Sequence, residues 1–207
     1  KVNASSFGNI DNLTYSYSGN RLTTVNDAIS GNDNTGDFRD IAGSTDYTYW
    51  ENGALKSDAN KGVSLIEYNT FLNRISKINY SDGKWIMFTY DGSGALIKRE
   101  NSNGDYWEYA DKVIFKNGQL YSLQIPDGRA IFEDDIWKLE FEYRDVWNNL
   151  RVSFGADGDR LIKKQQSDYD AYGYEFNKKT ISPSNNFKYQ NQERISDLGP
   201  GGVPLNI

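Results

Sequence analysis

The 207-residue chain has no cysteine, no histidine and only one methionine. Without cysteine, disulfides, thiolate nucleophiles and cysteine-ligated zinc are excluded. Without histidine, a Ser-His-Asp triad, a Cys-His pair, a histidine general base and the usual zinc and iron sites are excluded as well. Only carboxylate, lysine or tyrosine chemistry remains open to an enzyme. Long apolar runs are also missing: the longest strongly apolar stretch is Trp85-Ile86-Met87-Phe88, far short of the ~20 residues of a membrane span. There is no basic excess, since 23 Lys and Arg stand against 29 Asp and Glu for a net charge of −6. Nucleic acid is therefore not expected as a partner, because duplex binding needs a basic face to displace counterions. The chain opens Lys1-Val2-Asn3 with neither an initiator Met nor an apolar signal core, and reads as a piece of something longer.

What is abundant is aromatic and turn-forming. Tyr 15, Phe 10 and Trp 5 make 14% of the chain, and Gly 19 and Asn 22 accompany only 4 prolines. Aromatics suit pleated surfaces, while Gly and Asn tolerate the positive φ of tight turns. No segment has the length and period of an amphipathic helix. The expected class is all-β.

One motif recurs: aromatic-x-aromatic, a polar turn with Gly or Asn, then a Leu or β-branched strand. It reads Tyr15-Ser16-Tyr17-Ser18-Gly19-Asn20-Arg21-Leu22, then Tyr47-Thr48-Tyr49-Trp50-Glu51-Asn52-Gly53-Ala54-Leu55. Tyr68 heads a third copy and Tyr90-Asp91-Gly92-Ser93-Gly94-Ala95-Leu96 a fourth, with weaker copies near Tyr109, Phe115 and Tyr143. Tyr49, Tyr68, Tyr90 and Tyr109 are spaced 19, 22 and 19 residues apart. Alternation puts both aromatics of Tyr-x-Tyr on one face. Each unit is then a hairpin that must stack on its neighbours to bury that face. The repeat region spans residues 1–181 with a polar insertion at about 26–46, and residues 182–207 read as an irregular tail.

Candidate chemistry is sparse. Glu133, Asp134 and Asp135, or Glu140 with Glu142, supply paired carboxylates of the kind glycoside hydrolysis uses. A solvated strand face that discourages edge aggregation accounts for them better, so no catalytic residue is assigned. The loop Asn32-Asp33-Asn34-Thr35-Gly36-Asp37 offers oxygen ligands but lacks the terminal bidentate Glu of a calcium loop, so neither metal nor cofactor is expected. Exposed aromatics stack on sugar rings. Trp50 with Tyr49, Trp85, Trp107 and Trp147 are the candidate glycan or partner contacts, with Trp50 first because it replaces the Asp of the repeat. Packing against the next hairpin is the competing role.

The repeated Tyr-x-Tyr-Asp-x-x-Gly-x-Leu pattern resembles the YD repeats of the Rhs (rearrangement hot spot) family, in the version common in Bacteroidota. Thr45-Asp46-Tyr47-Thr48-Tyr49, Asn52-Gly53 and Asp58-Ala59-Asn60-Lys61-Gly62 are similar to one of its phrases. Asp145, Asn149 and Arg151 match its "DHLGNxRVxF" segment, with Val146 in place of His and Asn148 in place of Gly. Tyr189, Glu193, Leu198 and Gly199 match "YNGKELQDxLG", with Asn191 in place of Gly. The resemblance covers residues 9 to 199. Within it Tyr15, Tyr17, Tyr47, Tyr49, Gly53, Tyr68, Tyr90, Gly92, Asp145, Asn149 and Arg151 hold motif positions with a structural role. It implies tandem antiparallel hairpins forming a curved sheet, a segment of a β-shell in a large bacterial protein, secreted or on the cell surface. Such shells enclose or present a C-terminal effector or toxin. Further repeats, or another protein, would complete an open sheet edge; a surface adhesin that binds glycans is the alternative. Pro200-Gly201-Gly202-Val203-Pro204-Leu205-Asn206-Ile207 stands where the family has its closing Tyr/Arg-rich motif, so self-cleavage is not carried over.

Overall fold

A computed structural model describes residues 2–3, 6–7, 9, 11–29, 38–41, 43, 45–169, 173, 175–180, 185–195 and 205–206. Most of the 26–46 insertion's loop, including Asn32 to Asp37, lies outside the described residues. The described chain is almost entirely strand. In order these are β1 (Val2–Asn3), β2 (Ser6–Phe7), β3 (Leu13–Ser18), β4 (Arg21–Asp27), β5 (Tyr47–Tyr49), β6 (Leu55–Asp58) and β7 (Val63–Asn69). They continue as β8 (Arg74–Tyr80), β9 (Trp85–Tyr90), β10 (Leu96–Asn101), β11 (Tyr106–Ala110), β12 (Val113–Lys116), β13 (Gln119–Ile125) and β14 (Gly128–Glu133). The last are β15 (Ile136–Arg144), β16 (Leu150–Asp157), β17 (Arg160–Tyr169), β18 (Glu175–Thr180), β19 (Arg194–Ile195) and β20 (Leu205–Asn206). A single 3₁₀ turn covers Tyr189–Asn191.

Strands β5 to β18 are hydrogen-bonded in sequence order as one antiparallel sheet, while β1–β2, β3–β4 and β19–β20 pair separately. The chain divides into two compact units within β9, the first mainly Lys1–Met87 and the second mainly Phe88–Asp197.

The turns explain the ladder. Trp50, Tyr80, Asp91, Asn101 and Asp145 each accept a bond at their carbonyl from the amide three residues on. Each also donates its amide to the carbonyl four residues on. This is a short hairpin turn closed by a left-handed residue. Gly53, Gly83, Gly94 and Gly104 take that place with φ of 85° to 88°, and Asn148 does so at 65°. Asn148 thus serves where the family has Gly, because Asn tolerates the left-handed region better than other side chains. Gly92 is a correction: its φ is not positive, and Gly94 is the residue that needs the freedom. The Asp or Asn that starts the turn also caps it, as when Asp91 Oδ1 accepts the Ser93 and Ala95 amides at 2.8 and 2.9 Å. Asp145 Oδ1 does the same for Trp147 and Asn149, both at 3.0 Å.

The first unit buries an apolar line. Ile66, Ile78 and Ile86 are cross-strand partners on β7, β8 and β9, 6%, 0% and 1% exposed. Residues Asp46, Asp58 and Asn60, also buried, act as backbone caps: Asp46 Oδ2 accepts the Val25 amide at 2.7 Å and Asn60 Oδ1 the Ile41 amide at 3.0 Å.

The second unit departs from the sequence expectation in two ways. Beyond the last motif copy near Tyr143, β16, the ten-residue β17 and then β18 extend the sheet. Segment 185–195, inside the stretch expected to be a loose tail, lies against the sheet with Asn185, Lys188 and Ile195 buried.

Candidate functional site

Three tyrosine hydroxyls tie a hairpin to one before it. Tyr49 Oη donates to the Leu22 carbonyl, Tyr68 Oη to Leu55 and Tyr169 Oη to Leu150, each at 2.9 Å. Each acceptor is the Leu that follows a repeat's turn, so the spacing of Tyr and Leu in the motif encodes a link between hairpins. The hydroxyl is a donor that Phe cannot supply, which gives Tyr rather than Phe a role at these positions.

In the second unit the polarity of β15 is inverted. Trp137, Leu139, Phe141 and Tyr143 share one face and are 46%, 51%, 48% and 64% exposed. Leu161 of β17 and the turn residues Val146 and Trp147 are exposed too. On the opposite face Glu140 is buried, gripped by Arg129 Nε and Nη2 at 2.9 and 2.7 Å and by the Ser153 hydroxyl. Glu142 pairs with Arg144 at 2.6 Å and accepts the Asn185 side-chain amide at 2.6 Å. The expected solvated face of Glu140 and Glu142 is therefore the covered face, and the aromatic one is open. A buried carboxylate needs a partner of opposite charge, and each has an arginine. These carboxylates serve as internal counter-ions.

Segment 185–195 provides the cover. Lys188 Nζ reaches both oxygens of Glu175 at 3.0 and 2.8 Å, and Arg194 Nη1 reaches one at 2.6 Å. Burial alone would raise the Glu175 carboxyl, but hydrogen bonds from Lys188 and Ser167 outweigh it and hold it below its ordinary value. At Lys188 burial wins and lowers the ammonium, since it shares Glu175 with Arg194. Glu193 accepts the Tyr109 hydroxyl at 2.8 Å and lies 3.4 Å from Arg99, a guanidinium stacked 3.7 Å over the Trp107 ring. Tyr109 is raised by burial and by Glu193. Glu193 is a motif position in the sequence, but Arg99, Glu175 and Lys188 do not stand out, because charged residues ordinarily mean solvent.

The aromatic candidates separate. Trp147 is the most exposed tryptophan at 71%, held on the capped Asp145 turn. Trp50 is 37% exposed, with its indole N–H bonded to the Ile66 carbonyl at 3.0 Å and the Lys56 ammonium 4.7 Å from its ring. Trp85 is half-buried beneath Lys77, and Tyr49 is half-buried. Trp107, at 8% exposure, is core and is corrected as a contact candidate. Glu133 and Asp134 pair with Lys138, at the rim of a cleft of about 310 Å3 that Tyr121 and Phe132 also line. In the first unit burial raises the Asp58 carboxyl, against bonds from the Lys61 backbone.

No protein-family model matches the chain, and no curated protein matches it. Solved structures do resemble it. One is the crystal structure of TcdB2-TccC3-TEV, with a TM-score of 0.54 over 93% of this chain at 12% identity. The match takes in 11% of that chain, so this sequence spans about a tenth of that protein's length. At that identity the likeness shows the fold alone, an all-β antiparallel sheet of tandem hairpins.

Proposed function

We propose that this chain is a non-catalytic structural segment of a larger bacterial Rhs-type protein, of the Bacteroidota kind, that encloses or presents another polypeptide. The observation that carries this reading is the inverted second unit. A sheet that buries charge on one face and leaves Trp137, Leu139, Phe141 and Tyr143 open on the other is suited to lining a compartment. Exposed apolar side chains clustered on one face mark interaction surfaces. Secretion or surface display accords with the resemblance, and further repeats would complete the sheet edges. The test is protease protection in the natural full-length protein. Treated natively, it should yield a fragment outside residues 1–207 that resists digestion until mild denaturant opens the repeats. Complete digestion of everything outside the repeats, with the repeats intact, would refute enclosure.

A second reading, a surface module that binds glycans, is favoured by Trp147 on its rigid turn beside Asp145 and Asn148. Glycan-array binding that disappears in Trp147→Ala would support it over enclosure.

A further inference from the structure

We propose that segment 185–195 is a charge-held latch on the polar face of the second unit, closed at neutral pH and released by acid. The inference does not depend on whether the chain encloses another polypeptide.

The latch is attached by polar contacts rather than by a ladder. Its backbone bonds are the two-residue pairing of β19 with β20, which is separate from the large sheet, a bridge between Phe187 and Glu193, the Lys188 carbonyl to the Leu150 amide at 2.9 Å, and internal turns. Side chains make the remaining attachments to the sheet. Asn185 binds Gln165 of β17 and Glu142 of β15, Arg144 of β15 donates to the Phe187 carbonyl at 3.0 Å, and Asn149 accepts the Gln190 amide at 2.8 Å. The apolar contribution is small: Ile195 is buried, and the Tyr189 ring lies 5.6 Å from Tyr169. A segment held this way opens more easily than the strands beneath it.

The charges set the direction. Facing Glu175 are Lys188 and Arg194 of the latch and Ser167 and Tyr169 of β17. The field of Arg129, on β14, reaches Lys188, and that of Arg144, on β15, reaches Tyr169. At the far end Glu193 meets Arg99 of β10 and Tyr109 of β11. Every carboxylate in this set is matched by a lysine or arginine. Acid neutralises the carboxylates and leaves the cations, which then repel one another across the latch. Glu175 has a carboxyl held below its ordinary value. Its contribution is therefore complete at neutral pH and is lost as pH falls below the ordinary carboxylate range towards that lowered value. Release would uncover Glu142, Asn149 and Gln165.

Hydrogen exchange of the intact chain tests this, reading protection factors at Lys188, Gln192 and Arg194 against those of β14 to β17. Between pH 7 and about pH 3.5 the latch should lose protection by about tenfold or more, while β14 to β17 keep theirs. Glu175→Gln should reproduce the loss at pH 7. If that variant does not fold, Arg194→Ala, whose side chain is 29% exposed, makes the same test. Latch protection unchanged by acid and by the variant that folds would overturn the proposal. So would simultaneous loss of protection across latch and sheet, because the segment would then be part of one cooperative fold.

Discussion

The two units use the same turn and opposite interiors. In the first, Ile66, Ile78 and Ile86 form a buried line across three strands. In the second, the equivalent buried positions include Arg129, Glu140, Ser153 and Gln165, paired strand to strand. The first line is held by removal of apolar surface from water, which is indifferent to pH and needs no exact partner. The second is held by complementary charge, where each group is costly without its neighbour. Turn chemistry therefore sets strand order, and interior chemistry sets how each unit responds to change.

The sharpest contrast comes from breaking each line once. Glu140→Leu leaves Arg129 buried without its carboxylate and should cost about 3–5 kcal/mol, measured by urea unfolding. Ile78→Ala, at a position 0% exposed, should cost about 2–5 kcal/mol. The two should differ further when the partner is changed: Arg129→Met combined with Glu140→Leu should recover much of the loss, whereas no second substitution should restore Ile78→Ala so well. Full additivity of the charge-pair variants would erase the distinction.

Acid should move the units in opposite directions. Asp58 is raised by burial, so the folded first unit takes up protons more readily than the unfolded chain and should gain stability as pH falls through that raised value. Glu175 is lowered, so its share of stability, present above the ordinary carboxylate range, should be lost as pH falls. Amide protection at Lys61 and at Lys188, followed over one titration, reads both. Parallel changes at the two amides would contradict the comparison.

Smaller effects belong to what the units share. Gly94→Ala should cost about 1–2 kcal/mol because an L side chain is strained at its left-handed φ, and Asn148→Gly should cost nothing. Tyr68→Phe should lose about 0.5–1.5 kcal/mol by removing the hydroxyl bond to Leu55. Thermal unfolding of the variants checks these.

The repeats, their turns and their tyrosines were legible in the sequence, because Asp or Asn followed by a left-handed residue has few local solutions. Trp107 was legible only as an aromatic, since nothing local says that Arg99 will stack on it. Strands β17 and β18 escaped because Gln165 and Ser167, each 1% exposed, look like surface residues when the buried face is polar. The acidic residues of β15 misled for the same reason. Burial was inferred from hydrophobicity, and here it follows from charge pairing.

The sequence by itself determined the all-β class, the hairpin repeat, the exclusion of histidine and cysteine chemistry, and the turn residues, since all of these depend on contacts between near neighbours. Only the tertiary structure decided which face of β15 is covered and where residues 185–195 dock. Alternation along a strand defines two faces but not which one meets water. Here that choice was made by a segment far along the chain, where Asn185 donates to Glu142 and the Phe187 carbonyl accepts from Arg144, while Lys188 and Arg194 pair with Glu175 and Glu193 with Arg99.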